Sequence, residues 1–212
     1  LRKKVDFNIN INNDMKGTHI IVIGESLNKE HMGSYGYFRE TTPWLSKQKE
    51  NQNFIFFQNS YAPYCHTVPS ILKMITAANQ YNGERQKEAI SLIDIAKNAG
   101  FNTYWISEQQ GAMIDTPLSV IINESDEVKY AEEGGHIVNA LKNTMEKIDK
   151  QKNNLIFVHL MGSHADYKQR IIGYKDIFTD SKREEIGNYS DDKYKNFINN
   201  ILNPYDTSVK YT

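Results

Sequence analysis

Four consecutive β-branched residues, Ile20-Ile21-Val22-Ile23, follow Thr18-His19 and stop at Gly24-Glu25-Ser26. A fully apolar run of this length suits a strand buried on both faces of a parallel sheet, where helices cover it from either side. The abrupt stop places Glu25 at the carboxyl end of a central strand. In open α/β sheets that edge is where ligands sit, because the loops leaving the strands converge there. Taken alone, Glu25 also reads as a solvated loop acid or as an anion near a helix amino terminus.

The pattern repeats along the chain. Residues 101–107 form a strand, and Leu155-Ile156-Phe157-Val158-His159-Leu160 is a further buried run that leaves through Met161-Gly162-Ser163-His164. Amphipathic helices fall between the runs. One is capped by Thr67, carries Pro69 in its first turn and places Ile71, Leu72, Ile75 and Ala78 on one face. A second covers 89–98, with Ile90, Ile93 and Ala96, and ends at Gly100. A third covers 134–150, with Ile137, Leu141, Met145 and Ile148 as its apolar stripe. This alternation predicts an α/β fold with a predominantly parallel sheet and helices on both faces.

Shorter features fill the gaps. Residues 27–32 read as a helical turn, Gly33-Ser34-Tyr35-Gly36-Tyr37 as a glycine-punctuated loop, and Thr42-Pro43 as the start of a short helix over 44–50. Phe54-Ile55-Phe56-Phe57 is another apolar run. His31 reads as a packed or exposed histidine, not as a ligand. Residues 1–17 are polar and read as a lead-in or an edge strand; residues 171–203 are charged, tyrosine-rich and weakly patterned, and read as a surface insertion.

With 212 residues, 39% of them hydrophobic, the chain can bury one sizeable core, and a single domain is expected. A net charge of -1 and the lack of a long basic block argue against nucleic acid as a partner. No apolar run approaches the roughly 18 residues needed to cross a bilayer. The lone Cys65 excludes an internal disulfide framework. A first residue of Leu1 and an ending at Tyr211-Thr212 without a terminating signal point to a piece of a longer protein.

Three positions carry usable chemistry: Glu25, the helix start at Thr67 and His164. A carboxylate, a hydroxyl and an imidazole meeting at one sheet edge suit a divalent metal such as zinc, which takes oxygen and nitrogen donors and activates a hydroxyl. An alcohol needs such help before it can attack phosphorus. Each position also has a plainer reading. Thr67 reads as a simple cap, His164 as a loop histidine packed on Tyr167, and His159 as a hydrogen-bonded core residue. Cys65 beside His66 suggests a thiol enzyme less well, since neighbours in an extended chain point to opposite sides and no third partner is evident.

Taken together, Ile21-Val22-Ile23-Gly24-Glu25-Ser26, the stretch from His31 to Pro43, Thr67 ahead of Leu72, and His159-Leu160-Met161-Gly162-Ser163-His164 resemble the phosphoethanolamine transferases of the alkaline phosphatase and sulfatase superfamily. The lipopolysaccharide core-modifying branch is nearer than the lipid A branch. The resemblance covers residues 18–212, expected as a partial sulfatase-like catalytic domain, truncated, after a lead-in over 1–17. It implies a zinc-dependent domain facing the periplasm, tethered to a bacterial inner membrane through an amino-terminal region. It also implies transfer of phosphoethanolamine from phosphatidylethanolamine to a lipopolysaccharide core or lipid A acceptor through a phospho-threonine. Residue by residue, Glu25 matches a zinc-binding glutamate and Thr67 the nucleophilic threonine, itself a zinc neighbour. His164 matches a histidine that meets the transferred phosphate or a second zinc.

The departures carry expectations too. A family Ser-Asp-His-Gly-Glu segment with further zinc ligands does not occur here, so the chain alone is expected to bind zinc weakly and not to turn over. Glu108-Gln109 stands where relatives carry asparagine, and of an Arg-Tyr-Pro segment only Arg170 is kept, with Lys168 beside it to meet an anionic head group. Other readings stay open: a phosphoglycerol transferase, a sulfatase or phosphodiesterase, or a catalytically silent relative that binds a head group. The sulfatase nucleophile motif, Cys-x-Pro-x-Arg, is not what His66-Thr67-Val68-Pro69 spells.

Overall fold

A computed structural model describes residues 9, 16–86, 88–109, 116–131, 137–175, 177–179 and 192–212. The lead-in apart from residues 9, 16 and 17, the first turn, 134–136, of the helix expected over 134–150, and all of 180–191 lie outside the described residues. The chain divides into two compact units: Leu1–Ile23 with Tyr61–Leu160, and Gly24–Ser60 with Met161–Thr212.

The first unit holds the sheet. Its strands are β1 (Thr18–Ile23), β2 (Asn102–Ser107), β3 (Glu127–Tyr130) and β4 (Asn154–His159), in the spatial order β1-β4-β2-β3. Every pairing is parallel, with Ile23, His159 and Ser107 level at the carboxyl edge. All six residues of β4 are buried, as a strand covered on both faces should be.

Alternate side chains along the strands feed two apolar clusters, one on each face. Ile23, Trp105, Leu155 and Phe157 pack with helices α2 (Thr67–Ile75), α3 (Leu92–Asn98) and α4 (Pro117–Ile122). Trp105 and Phe157 stack at 4.9 Å, at the centre of this cluster. Ile106, Ile156 and Val158 meet α5 (Ile137–Lys147) on the opposite face, where Leu141 and Met145 join the packing. The parallel sheet with helices on both faces is therefore present.

Central placement was expected of β1; among the described residues it lies at one border of the sheet. Ile21 and Ile23 pack into the first cluster, whereas Ile20 and Val22 are 42% and 60% exposed. The apolar run is continuous, yet α5 packs on β2 and β4, and among the described residues that face of β1 is left exposed. Helix α3 starts three residues later than its apolar pattern suggests. Ser91 and Asp94 close a capping box there, with Asp94 N–H donating to Ser91 Oγ at 3.0 Å and Ser91 N–H to Asp94 Oδ2 at 2.7 Å. Gly100, at φ 75°, ends the helix as expected.

The second unit contains α1 (Pro43–Lys47), α6 (Tyr167–Arg170), α7 (Asp192–Phe197) and α8 (Asn203–Tyr211), with a π-helical segment, Ile198–Leu202, joining the last two. Its core is Met32, Tyr205 and Val209, packed by Leu27, Tyr35, Leu45 and Tyr167. Thr42-Pro43 starts α1 as expected, with Thr42 as its N-cap residue, but the Thr42 side chain makes no bond to the helix. Its Oγ1 instead accepts from Ser34 N–H at 2.9 Å and donates to Ser34 Oγ, tying the glycine-punctuated loop to the helix start. Phe54 and Phe56 turn inward against Trp44 and Tyr35, while Ile55 and Phe57 point to solvent. The expected surface insertion is helical from Asp192, and α8 is buried over seven successive residues, Asn203 to Val209.

Candidate functional site

Thr67 belongs to the first unit. The structure shifts the expected cap by one residue: His66, with extended backbone, is the N-cap, and Thr67 is the first helical residue. Ser70 N–H closes the first turn on His66 C=O at 3.0 Å. Ile71, Leu72, Ile75 and Ala78 are buried as the apolar stripe requires. The first N–H groups of a helix have no intrahelical acceptor, so the hydroxyl at this position sits at the positive end of the helix dipole. Cys65 and His66 correct a further expectation. Their side chains do not point apart but meet, Sγ to Nδ1, at 3.2 Å.

His159 is fully buried at the end of β4, its Nδ1 3.1 Å from Ser107 Oγ, and is the core histidine expected. The same Ser107 hydroxyl accepts from Gln109 N–H at 3.0 Å. Gln109 is itself buried, and its Nε2 has no hydrogen-bond partner among the described residues.

Glu25 and His164 both lie in the second unit, and there they converge. Glu25 occupies a left-handed backbone conformation, φ 52°, in a turn closed by Leu27 N–H on Gly24 C=O at 3.2 Å. Gly24 leaves room beside it for Leu27, whose Cδ2 a Cβ at residue 24 would meet at 3.0 Å. The Glu25 side chain is 6% exposed, and His164 Nε2 stands 3.7 Å from its Oε1, with the imidazole 35% exposed. That separation is too long for a hydrogen bond. It is close to the roughly 3.3 Å between two donors that share a tetrahedral zinc at about 2.0–2.1 Å. One carboxylate oxygen and one imidazole nitrogen therefore fit part of a zinc ligand set. Among the described residues no group of three or more His, Cys, Asp or Glu side chains gathers in one place.

The second unit also holds a polar cluster that sequence reasoning missed. Asp206 is fully buried; its Oδ1 lies 2.9 Å from His31 Nδ1, and its Oδ2 accepts from Arg39 NH1 at 2.6 Å and from Tyr37 OH at 2.8 Å. Arg39 NH2 donates to Asn203 Oδ1 at 2.7 Å. Beside Asp206, the Tyr205 hydroxyl donates to Ser26 C=O at 2.7 Å and accepts from Asn28 N–H at 2.9 Å. His31 is thus packed, as one of its two readings held. Lys168 donates to Asn200 Oδ1 and lines a cavity of about 580 Å³ with Ile171, Tyr174 and Asn203. Arg170 Nε is buried without a partner among the described residues.

Comparison with known proteins agrees with this architecture. The sulfatase family model matches residues 18–212. The chain is 34% identical over 162 residues to phosphoethanolamine transferase EptC of Escherichia coli strain K12, covering 72% of this chain and 28% of that protein. It is 30% identical over 168 residues to phosphoethanolamine transferase CptA of Salmonella typhimurium, covering 74% and 29%. The crystal structure of the C-terminal periplasmic domain of Escherichia coli EptC, in complex with Zn, matches with a TM-score of 0.76 at 27% identity, over 94% of this chain and 57% of that one. The chain spans under a third of these curated relatives and just over half of the solved domain. No helix among the described residues is long and apolar enough to cross a membrane. From residue 18 to its end the chain belongs to the sulfatase family of the alkaline phosphatase superfamily, where its sequence and fold group it with the phosphoethanolamine transferases.

Proposed function

We propose that this chain is part of the catalytic domain of a zinc-dependent phosphoethanolamine transferase. The observation that carries the proposal is the convergence of Glu25 and His164, distant in sequence, at a separation suited to a shared ion. Thr67 is the nucleophile, and Glu25 and Thr67 are zinc ligands. Zinc, when bound, supplies positive charge that acidifies the threonine alcohol and offsets charge on the phosphoryl oxygens.

The chain's own residues do the rest. Thr67 Oγ attacks phosphorus of phosphatidylethanolamine and gives up its proton. The bond from phosphorus to the glycerol oxygen breaks, and diacylglycerol leaves after taking up a proton. His164, beside Glu25, meets the transferred phosphate or a second zinc during this step. In the second step a hydroxyl of a lipopolysaccharide core or lipid A acceptor attacks the phospho-threonine and frees Thr67. Splitting the transfer in two keeps the activated group on the protein until an acceptor arrives. The donor and acceptor place the domain on the periplasmic face of an inner membrane.

Intact-mass and peptide mass spectrometry of the full-length protein, incubated with phosphatidylethanolamine and zinc, tests the reading. The expected result is a phosphoethanolamine adduct on Thr67 that disappears in Thr67→Ala. An adduct on Cys65, or none on any residue, overturns it; rapid release of the group to water with no transfer to lipopolysaccharide supports a phosphodiesterase instead.

A further inference from the structure

Glu25 adopts a backbone conformation that residues with a Cβ rarely take, and such residues persist only where their surroundings fix them. The Gly24 to Leu27 turn bond holds one side of Glu25. On the other side the chain enters a short 3₁₀ turn, Lys29–His31, capped by Asn28, whose Oδ1 accepts from Glu30 N–H at 3.0 Å. Between these two devices stands a tertiary group. The Tyr205 hydroxyl uses its proton on Ser26 C=O and a lone pair on Asn28 N–H. It reaches both from α8, across nearly 180 residues of sequence.

Tyr205 is itself well seated. It is buried, with the His31 ring edge-on at 5.0 Å and the Tyr167 ring at 4.9 Å. Its neighbour Asp206 grips His31, Tyr37 and Arg39, so successive residues of α8 hold the near and far ends of the segment that begins at Ser26.

We infer that Tyr205 is a positioning residue for the metal centre: its hydroxyl locks the turn that presents the Glu25 carboxylate to His164. The inference rests on the transferase reading above only in taking Glu25 as a zinc ligand. Burial also pushes the Tyr205 phenol up to about 12, so it stays protonated, as a donor to Ser26 must. Groups that orient metal ligands from outside the coordination shell are worth about 10–100-fold in metal affinity. Removing this hydroxyl leaves the Ser26 carbonyl and the Asn28 amide without their partner and lets the Glu25 turn relax.

The test uses the full-length protein. Zinc affinity is measured by chelator competition in the wild type, Glu25→Gln, Tyr205→Phe and Tyr37→Phe, and exchange of the Asn28 amide is followed by hydrogen–deuterium exchange. Tyr205→Phe is expected to weaken zinc binding at least tenfold and to accelerate exchange at Asn28. Tyr37→Phe, which loses a bond to Asp206 but touches neither Ser26 nor Asn28, is expected to keep wild-type affinity. Coupling is reciprocal, so in the wild type zinc itself must slow exchange at Asn28, a readout that holds even if Tyr205→Phe fails to fold. Unchanged zinc affinity in Tyr205→Phe, with Glu25→Gln weakened, overturns the positioning role and leaves the transferase reading standing. An equal loss in Tyr37→Phe shows general loosening and overturns it as well. Affinity indifferent to Glu25→Gln overturns both readings.

Discussion

Asp206→Asn isolates the buried cluster of the second unit without changing its shape. In the wild type, a fully buried carboxylate faces the Arg39 guanidinium at 2.6 Å, with Arg39 itself only 8% exposed. The substitution removes the negative charge and turns an acceptor into an amide that competes with Arg39 for space or for Asn203 Oδ1. Tyr37 OH and His31 Nδ1 lose a charged acceptor at the same time. Leaving one member of a buried pair uncompensated costs about 3–5 kcal/mol, which for a chain of this size corresponds to about 6–20 °C in Tm. Thermal and urea unfolding of the full-length protein, with exchange of the α8 amides as a measure of the second unit alone, reads the loss directly. The double variant Asp206→Leu, Arg39→Met removes both charges together and is expected to recover at least half of it. A loss below about 1 kcal/mol in Asp206→Asn, or a double variant as unstable as the two single ones added together, would refute the reasoning that charge, not packing, secures this cluster.

Two further outcomes are expected. The Tyr205 phenol ionises at about 12 when folded and near 10 when unfolded, so its share of stability is whole below pH 10 and disappears as pH rises through 12. That share is about 2–3 kcal/mol. Relative to wild type, Tyr205→Phe should flatten the alkaline limb of a Tm against pH profile, and an identical limb in both would contradict the assignment. Ser91→Ala breaks the capping box of α3 and is expected to cost about 1 kcal/mol. Urea denaturation measures it, and Ser91→Gly should lose markedly less.

The sheet was legible where strands are apolar without interruption. β2 and β4 fall within a residue of their expected bounds, and β1 begins two residues ahead of its apolar run; in β1 and β4 the signal is a continuous apolar run, in β2 the aromatic and β-branched residues around Trp105. β3 carried no such signal. Glu127-Val128-Lys129-Tyr130 is short, alternates polar and apolar, and lies, among the described residues, at a sheet border with none of its four residues buried. α4 was missed although Thr116-Pro117 is a sound start signal, with Thr116 Oγ1 accepting from Ser119 N–H at 3.2 Å.

In the candidate site, Glu25 and His164 could be read because strand ends mark positions where chemistry collects. Tyr205 and Asp206 could not. Asn203, Asp206, Thr207 and Ser208 are buried alongside Tyr205 and Val209, so α8 shows no apolar stripe and its polar residues look like surface. What keeps them inside is partners more than 160 residues earlier, which no local window contains.

That separation also sets an order of events during synthesis. Glu25 and its turn leave the ribosome with local bonds alone to hold them, the Leu27 to Gly24 turn bond and the Asn28 cap, and Tyr205 follows after nearly 180 further residues, on the order of ten to forty seconds later at usual elongation rates. Through that interval the nascent loop must stay soluble on its own composition. The four described strands of the sheet, complete by His159, are translated well before the loop's support exists.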